Sequence, residues 1–239
     1  IQVYLYKDDY LCQSFQVPFK TIRGGRKFRI RKTFEGGFHL AAWAVPRDGN
    51  GSIIPTPEEH PNFSTAVIGH KNLTHNTPPH YSSLDDLFLG VVKEYNGNAQ
   101  PDADYEVPMK NTICKVKVFV DSTLLEESSV HGQPNIHFMG SAQGETLDME
   151  PYGDEVCVQA TLDQQTANGM ITTNTIGLMP SYDNKYLSLT AKSGDVAVFS
   201  VATEELSEPG KEITILIKGL TAEISVNGWK VKTTSVIFN

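Results

Sequence analysis

Apolar and polar residues alternate with a period of two over most of this chain, and the longer period of an amphipathic helix is almost absent. Residues 114–120 give the clearest case. Cys114, Val116, Val118 and Val120 fall on one side of an extended chain, and Lys115, Lys117 and Phe119 on the other. Residues 1–6 alternate in the same way. Lys7, Asp8 and Asp9 then supply turn chemistry, so residues 11–19 are expected to return as the second arm of a hairpin. A strand is expected over 27–30, between the glycine pairs Gly24-Gly25 and Gly36-Gly37. Residues 38–45 are more continuously apolar, which predicts a central strand covered on both faces. Further strands are expected over 135–139, 155–162, 170–173, 186–191, 195–201, 211–218, 222–226 and 229–238. Asn227-Gly228 fits either a two-residue hairpin turn or a bulge in one bent strand.

The interruptions are as informative as the strands. Residues 47–80 are rich in Pro, Asn, Ser and Thr, and read as a long loop or a set of short edge pieces. Residues 82–88 could form one helical turn with a serine cap, and residues 104–109 an edge strand holding Pro108. The polar stretch 121–133 marks a domain boundary. Many short strands separated by turn signals predict an all-β protein of two β-sandwich domains in tandem, over residues 1–122 and 123–239, with under about a tenth of the residues helical.

At 239 residues the chain is long enough for such a pair of domains. Its net charge of −8 argues against nucleic acid as a partner, which needs a concentrated basic footprint. The one basic cluster, Arg23, Arg26, Lys27, Arg29, Arg31 and Lys32, alternates with Phe28 and Ile30 and reads as the solvated face of a strand. Cys12, Cys114 and Cys157 are far apart and odd in number. They have neither metal-ligand spacing nor the look of a disulfide framework. His70, His75 and His80 recur every five residues, a spacing that brings ligands together on neither a helix nor a strand face, so no metal site is expected. Asp85 and Asp86 are adjacent and would point apart in a strand, unlike the convergent carboxylates of a glycosidase. No nucleophile elbow, phosphate-binding loop or dinucleotide fingerprint is present, so no catalytic or cofactor site is expected. Trp43, Trp229 and Tyr4, Tyr6 and Tyr10 could make a sugar-stacking platform, although aromatics on strands usually serve cross-strand packing.

Four stretches carry a resemblance. Val3-Tyr-Leu-Tyr-Lys-Asp-Asp9 looks like an early strand ending in an acidic turn. Leu84-Asp-Asp-Leu-Phe-Leu-Gly90 follows, with Leu89 at a position where His is expected. Val107-Pro-Met-Lys-Asn-Thr-Ile-Cys-Lys-Val-Lys-Val118 is a basic strand, and Ile224-Ser-Val-Asn-Gly-Trp229 lies near the end. Together they resemble the fimbrial-subunit family of the Bacteroidales that includes the FimB and Mfa2 anchor proteins. The resemblance implies two transthyretin-like β-sandwich domains, export to the outer membrane, a lipid anchor on an N-terminal cysteine, and a role as anchor, terminator or accessory subunit, with no cofactor. This chain departs from the pattern twice. Cys12 follows Lys-Asp-Asp-Tyr-Leu, not an apolar leader, so the anchor would lie outside this chain. One further strand is also expected before Ile1.

The leading expectation is therefore a non-enzymatic structural subunit of surface fimbriae. Its partners would be other fimbrial subunits and, through a lipid, the outer membrane. Candidate interface residues are Ile1, Val3 and Leu5, beside the edge left by the missing strand, and Val236 and Phe238 in the terminal strand. A surface glycan-binding β-sandwich is the alternative. Exposure of both Trp43 and Trp229 would favour it, and shielding of both would favour the structural subunit.

Overall fold

The computed structural model describes residues 1–18, 37–44, 52–53, 62–70, 80–81, 83–84, 86–94, 106–127, 134–166 and 168–238. The strand expected over 27–30, His75 and the basic cluster lie outside these residues. Strand alternation organises nearly everything that is described. Among the described residues two sheets form, one of five strands and one of fourteen. One short helix, α1 (Ser122–Glu127), is present among the described residues.

The five-stranded sheet is built from the hairpin β1 (Gln2–Lys7) and β2 (Tyr10–Gln16), then β3 (Phe38–Ala44), β7 (Phe88–Glu94) and β8 (Lys110–Asn111), in the order β2-β1-β3-β7-β8. The acidic turn works as its sequence suggests: Asp8 and Asp9 both take positive φ, 48° and 71°. Asp9 also ties the hairpin to a 3-10 turn at Phe63–Thr65, because its carboxylate accepts from the Ser64 backbone N–H at 2.7 Å and the Ser64 hydroxyl at 2.8 Å. β3 is central, as its continuous apolar run predicts, with β1 on one side and β7 on the other.

The large sheet contains β4 (Ser52–Ile53), β5 (Val67–His70), β6 (His80–Tyr81), β9 (Cys114–Asp121), β10 (Asn135–Thr146), β11 (Pro151–Gln165), β12 (Met170–Thr173), β13 (Ile176–Leu178), β14 (Ser188–Ser193), β15 (Val196–Ala202), β16 (Glu212–Lys218), β17 (Thr221–Val226), β18 (Trp229–Ser235) and β19 (Ile237–Phe238). Its main path runs β18-β17-β16-β9-β12-β11-β10-β14-β15-β19. β11 is long enough to pair with β10 along most of its length and with β12 at its far end, so the sheet bends over on itself. The path begins at β18 and ends at β19, and these two strands are separated in the chain by Val236 alone. One residue therefore draws the two ends of the sheet together into a nearly closed barrel. Val236 is buried, and its N–H donates to the Leu220 carbonyl at 3.0 Å.

The barrel interior is the larger core. β9 contributes Cys114, Val116, Val118 and Val120, and Ile136, Phe138, Val158, Leu189, Phe199, Ile213, Ile215, Ile217 and Ile224 face them. Burial keeps the Cys114 thiol protonated, its pKa pushed up to about 12, so it packs as an apolar side chain. β5, β6 and β9 precede residue 123, yet they pair with strands that follow it.

Two local expectations need correction. The segment around residues 82–88 makes no helical turn among its described residues, and Phe88 instead opens β7. Leu84 and Leu87 are drawn into the core between the sheets. The Ser83 hydroxyl accepts from the Gly177 N–H at 2.9 Å instead of capping a helix, and the Leu84 N–H donates back to the Gly177 carbonyl at 3.0 Å. Gly177 is required there, because a Cβ would strike the Leu84 carbonyl oxygen. The helix forms instead just after β9, where the Asp121 carboxylate accepts from the Thr123 N–H at 3.1 Å and caps it. Around Pro108, residues 106–109 form no strand, and pairing with β7 is left to Lys110 and Asn111.

Removing residues after Lys232 takes away the Val236 closure and the β19 pairing. The lost burial is about 2–3 kcal/mol, which corresponds to a fall in Tm of roughly 5–10 °C for a chain of this size. Thermal unfolding followed by circular dichroism checks it, and an unchanged Tm would show that the seam does not hold the barrel.

Candidate assembly surface

The role expected from the sequence would be played through strand edges and exposed apolar side chains. β1 is not such an edge. It is hydrogen-bonded to β2 over one side and to β3 over the other. Val3 and Leu5 are buried in a small core with Val17, Phe38, Leu40 and Ala42, and Ile1 packs against it. Ile1 and Val17 close the hairpin with reciprocal bonds of 2.9 and 2.8 Å. No strand-wide gap therefore lies beside Val3 and Leu5, and an unpaired edge at residues 1–6 is not what this sheet presents. The reason is geometric: the residues after β1 turn back to fill one side, and β3 fills the other.

The C-terminal candidates lie elsewhere. Val236 belongs to the barrel core, not to the cluster that holds Val3 and Leu5. Phe238 is 38 % exposed, pairs with Phe199 across β15 and β19, and places its ring 6.1 Å from the Phe199 ring. The five expected interface residues are thus split between two separate cores and one surface strand, and the fold does not bring them together.

What the fold does bring to one place is a seam. β18 is bonded along one side to β17, and its other side faces β15. β19 covers β15 only at Phe199 and Ser200. Turn chemistry sets the geometry. Asn227 and Gly228 take φ of 49° and 81°, making the tight hairpin turn, and the Asn227 side chain accepts from the Glu212 N–H at 2.9 Å. A register shift between Ile224 and Ser225 puts a bulge beside that turn. At Asn227-Gly228 itself the chain makes the hairpin turn between two antiparallel strands, not a bulge in one bent strand. Every residue of β18 is exposed or half-buried, and Trp229 is 78 % and Val231 50 % exposed. Lys230 pairs with Glu223 at 3.1 Å across the hairpin, and Lys232 reaches Glu204. Ile237 on β19 and Leu220 at the neighbouring turn are also exposed, at 60 % and 70 %. An edge strand flanked by exposed apolar side chains can take up another strand by main-chain hydrogen bonding.

The remaining candidates resolve into structural roles. Trp43 is buried between the sheets, its ring centroid 4.4 Å from that of Tyr4, so only Trp229 of the two tryptophans is accessible. His70 is buried, and its Nε2 accepts from the Met179 N–H at 3.4 Å. Asp86 pairs with Lys115 at 2.7 Å. Cys157 lies 3.5 Å from His137 Nδ1, and burial pushes its thiol up while Lys192 pulls the other way. A polar cleft of about 350 Å³ is lined by Ser83, Gln159, Thr161, Asp163, Asn174 and Thr175, and among the described residues no aromatic ring lines it.

The fold has counterparts. A candidate adhesin of Bacteroides thetaiotaomicron superposes with a TM-score of 0.64 at 11 % identity, covering 97 % of this chain and 89 % of the other. A candidate adhesin of Bacteroides ovatus gives a TM-score of 0.62 at 13 % identity, covering 96 % and 86 %. A candidate polysaccharide-binding protein of Bacteroides thetaiotaomicron gives 0.61 at 15 % identity, covering 97 % and 88 %. At these identities the likeness speaks for the fold. No curated protein gives a significant sequence match. Residues 1–235 match the family of fimbrillin-A associated anchor proteins Mfa1 and Mfa2, and the chain therefore belongs to that fimbrial family.

Proposed function

We propose that this protein is an anchor- or accessory-type subunit of cell-surface fimbriae, non-enzymatic, which joins its neighbours by strand pairing and so supports adhesion. Family membership supports the fimbrial role. The observation that carries the mode of assembly is β18, a seven-residue edge strand at the barrel seam with Trp229 and Val231 exposed on it. Val236 and Phe238 would take part by holding the seam in shape, and the β1 residues Ile1, Val3 and Leu5 by keeping the other sheet rigid. Attachment to the outer membrane would come from a lipid on a segment outside this sequence.

The glycan-binding alternative has less in its favour. Sugar sites stack pyranose faces on aromatic rings, and the polar cleft offers none, while Trp43 is enclosed.

Two measurements test the assembly reading. Charge placed on an edge strand blocks strand addition, so the double variant Trp229→Lys, Val231→Lys should fold with an unaltered circular dichroism spectrum and fail to enter fimbriae, as scored by immunogold microscopy of the producing cells. Normal incorporation would remove β18 from the interface. In the free protein, iodide should quench the Trp229 emission and leave that of Trp43. Complete quenching of both tryptophans would contradict the burial of Trp43 and revive the sugar-stacking platform.

A further inference from the structure

The packing between the two sheets contains an ionisable group that plays no part in assembly at the seam. Glu145 lies near the end of β10, opposite Ile68 of β5 on one side and Pro151 of β11 on the other. Ile68 belongs to the core that joins the sheets, with Tyr4, Tyr6, Ala41, Trp43 and Leu89 from the five-stranded sheet and Leu147 and Met179 from the segments just after β10 and β13. Glu145 is fully buried, and neither carboxylate oxygen has a hydrogen-bond partner among the described residues. Trp43 Nε1, in the same core, is also without one. A buried carboxylate with no partner is rare, because an isolated charge in an apolar site is strongly disfavoured.

The strand that carries Glu145 is tightly held. Gly144 beside it and Gly69 opposite bring the β10 and β5 backbones into contact. A Cβ on Gly144 would sit 2.6 Å from the Ile68 carbonyl oxygen, and one on Gly69 would sit 2.5 Å from that of Gln143. This close approach lies on the sheet face opposite to the Glu145 side chain, and it holds the β5 and β10 backbones firmly together where Glu145 is carried. Among the described residues, the groups around it offer no free cation. Glu150 and Asp148 lie on the β10–β11 turn, His70 on β5, Tyr4 and Tyr6 on β1, His39 on β3 and Lys93 on β7. Lys93 is held by Asp148 and sits 5.5 Å above the Phe63 ring. The His70 Nε2 is taken by the Met179 N–H, and the Tyr6 hydroxyl is pushed well above its ordinary value by burial.

We propose that Glu145 is a protonation lock: as a neutral carboxyl it lets the five-stranded sheet pack onto β5 and β10, and its ionisation loosens that contact. Burial, reinforced by Glu150, pushes its pKa from 4.5 up to about 8. The sign follows from this direction. Below the ordinary carboxyl range the group is neutral whether the chain is folded or unfolded, and the contact has its full strength. As pH rises from there to about 8, the unfolded chain gives up the proton and the folded one keeps it. The folded-to-unfolded ratio therefore falls about ten-fold per pH unit. Above about 8 the folded protein itself must hold a stranded charge, and admitting water between the sheets is the remaining way to solvate it. β5 is the weak point, since its ladder to β10 is three residue pairs long.

The two tryptophans allow a direct test in the full chain. With Trp229→Phe, Trp43 is the sole reporter, and it sits in the same core as Ile68. Acrylamide quenching of this variant should be low at pH 6 and rise several-fold with a midpoint near pH 8. Adding Glu145→Gln should keep Trp43 shielded up to pH 9.5. If the glutamine variant fails to fold, Glu145→Met supplies the same comparison. Quenching that stays flat to pH 9.5 with Glu145 present, or that rises equally once Glu145 is replaced, overturns the lock. Loss of the assembly role at β18 would leave this result unaffected, because the two sites share no residue.

Discussion

Closure of the large sheet by Val236 is the constraint on which the rest of the structure leans. A ten-strand path with free ends would expose two long edges and leave its apolar face half covered. Here the last hairpin arm lies at one end of the path and the last two described residues at the other. A single buried valine between them converts an open sheet into a near-barrel with one continuous interior. Barrel closure also explains the long β11, which must serve both halves of the curl.

Closure is incomplete, and the incompleteness is informative. β18 faces β15 without entering a ladder with it among the described residues, so the seam is a place where the sheet can still accept hydrogen bonds. A protein that worked alone would be expected to blunt such an edge with charge on every outward position or with proline. β18 carries two lysines, and both are engaged by acids of this same chain, which leaves the tryptophan and valine as the unengaged features. The opposite sheet shows the contrast: its β1 is enclosed on both sides and its turn is clamped to Ser64 by Asp9.

The second packing contact, between the sheets, is of a different kind. It rests on side chains more than on ladders. Phe63 sits at its heart, stacked on His39 at 4.6 Å and edge-on to Tyr6 at 5.4 Å, with Lys93 above the ring. The buried carboxyl of Glu145 lies beside this contact on β10, with ladder partners on β5 and β11.

The sequence by itself determined the all-β class, the β1–β2 hairpin, the central position of β3 and the alternating faces of β9, and it narrowed Asn227-Gly228 to a hairpin turn or a bulge. These depend on local rules: a period of two, turn residues that tolerate positive φ, and continuous apolar runs where both faces are covered. The motifs carried by Leu84, Val107 and Ile224 also identified the family, which the match over residues 1–235 bears out. Tertiary structure alone decided which strands became edges. Val3 and Val231 sit in equally regular alternation, yet one is enclosed by two neighbours and the other lies open on the seam. Trp43 and Trp229 are likewise both strand aromatics with opposite fates, and Ser83 serves a backbone 94 residues away instead of a helix beside it. Pairing partners and burial at such distances are settled by whole-chain closure and packing. A local pattern says which way a side chain points, not what it will meet there.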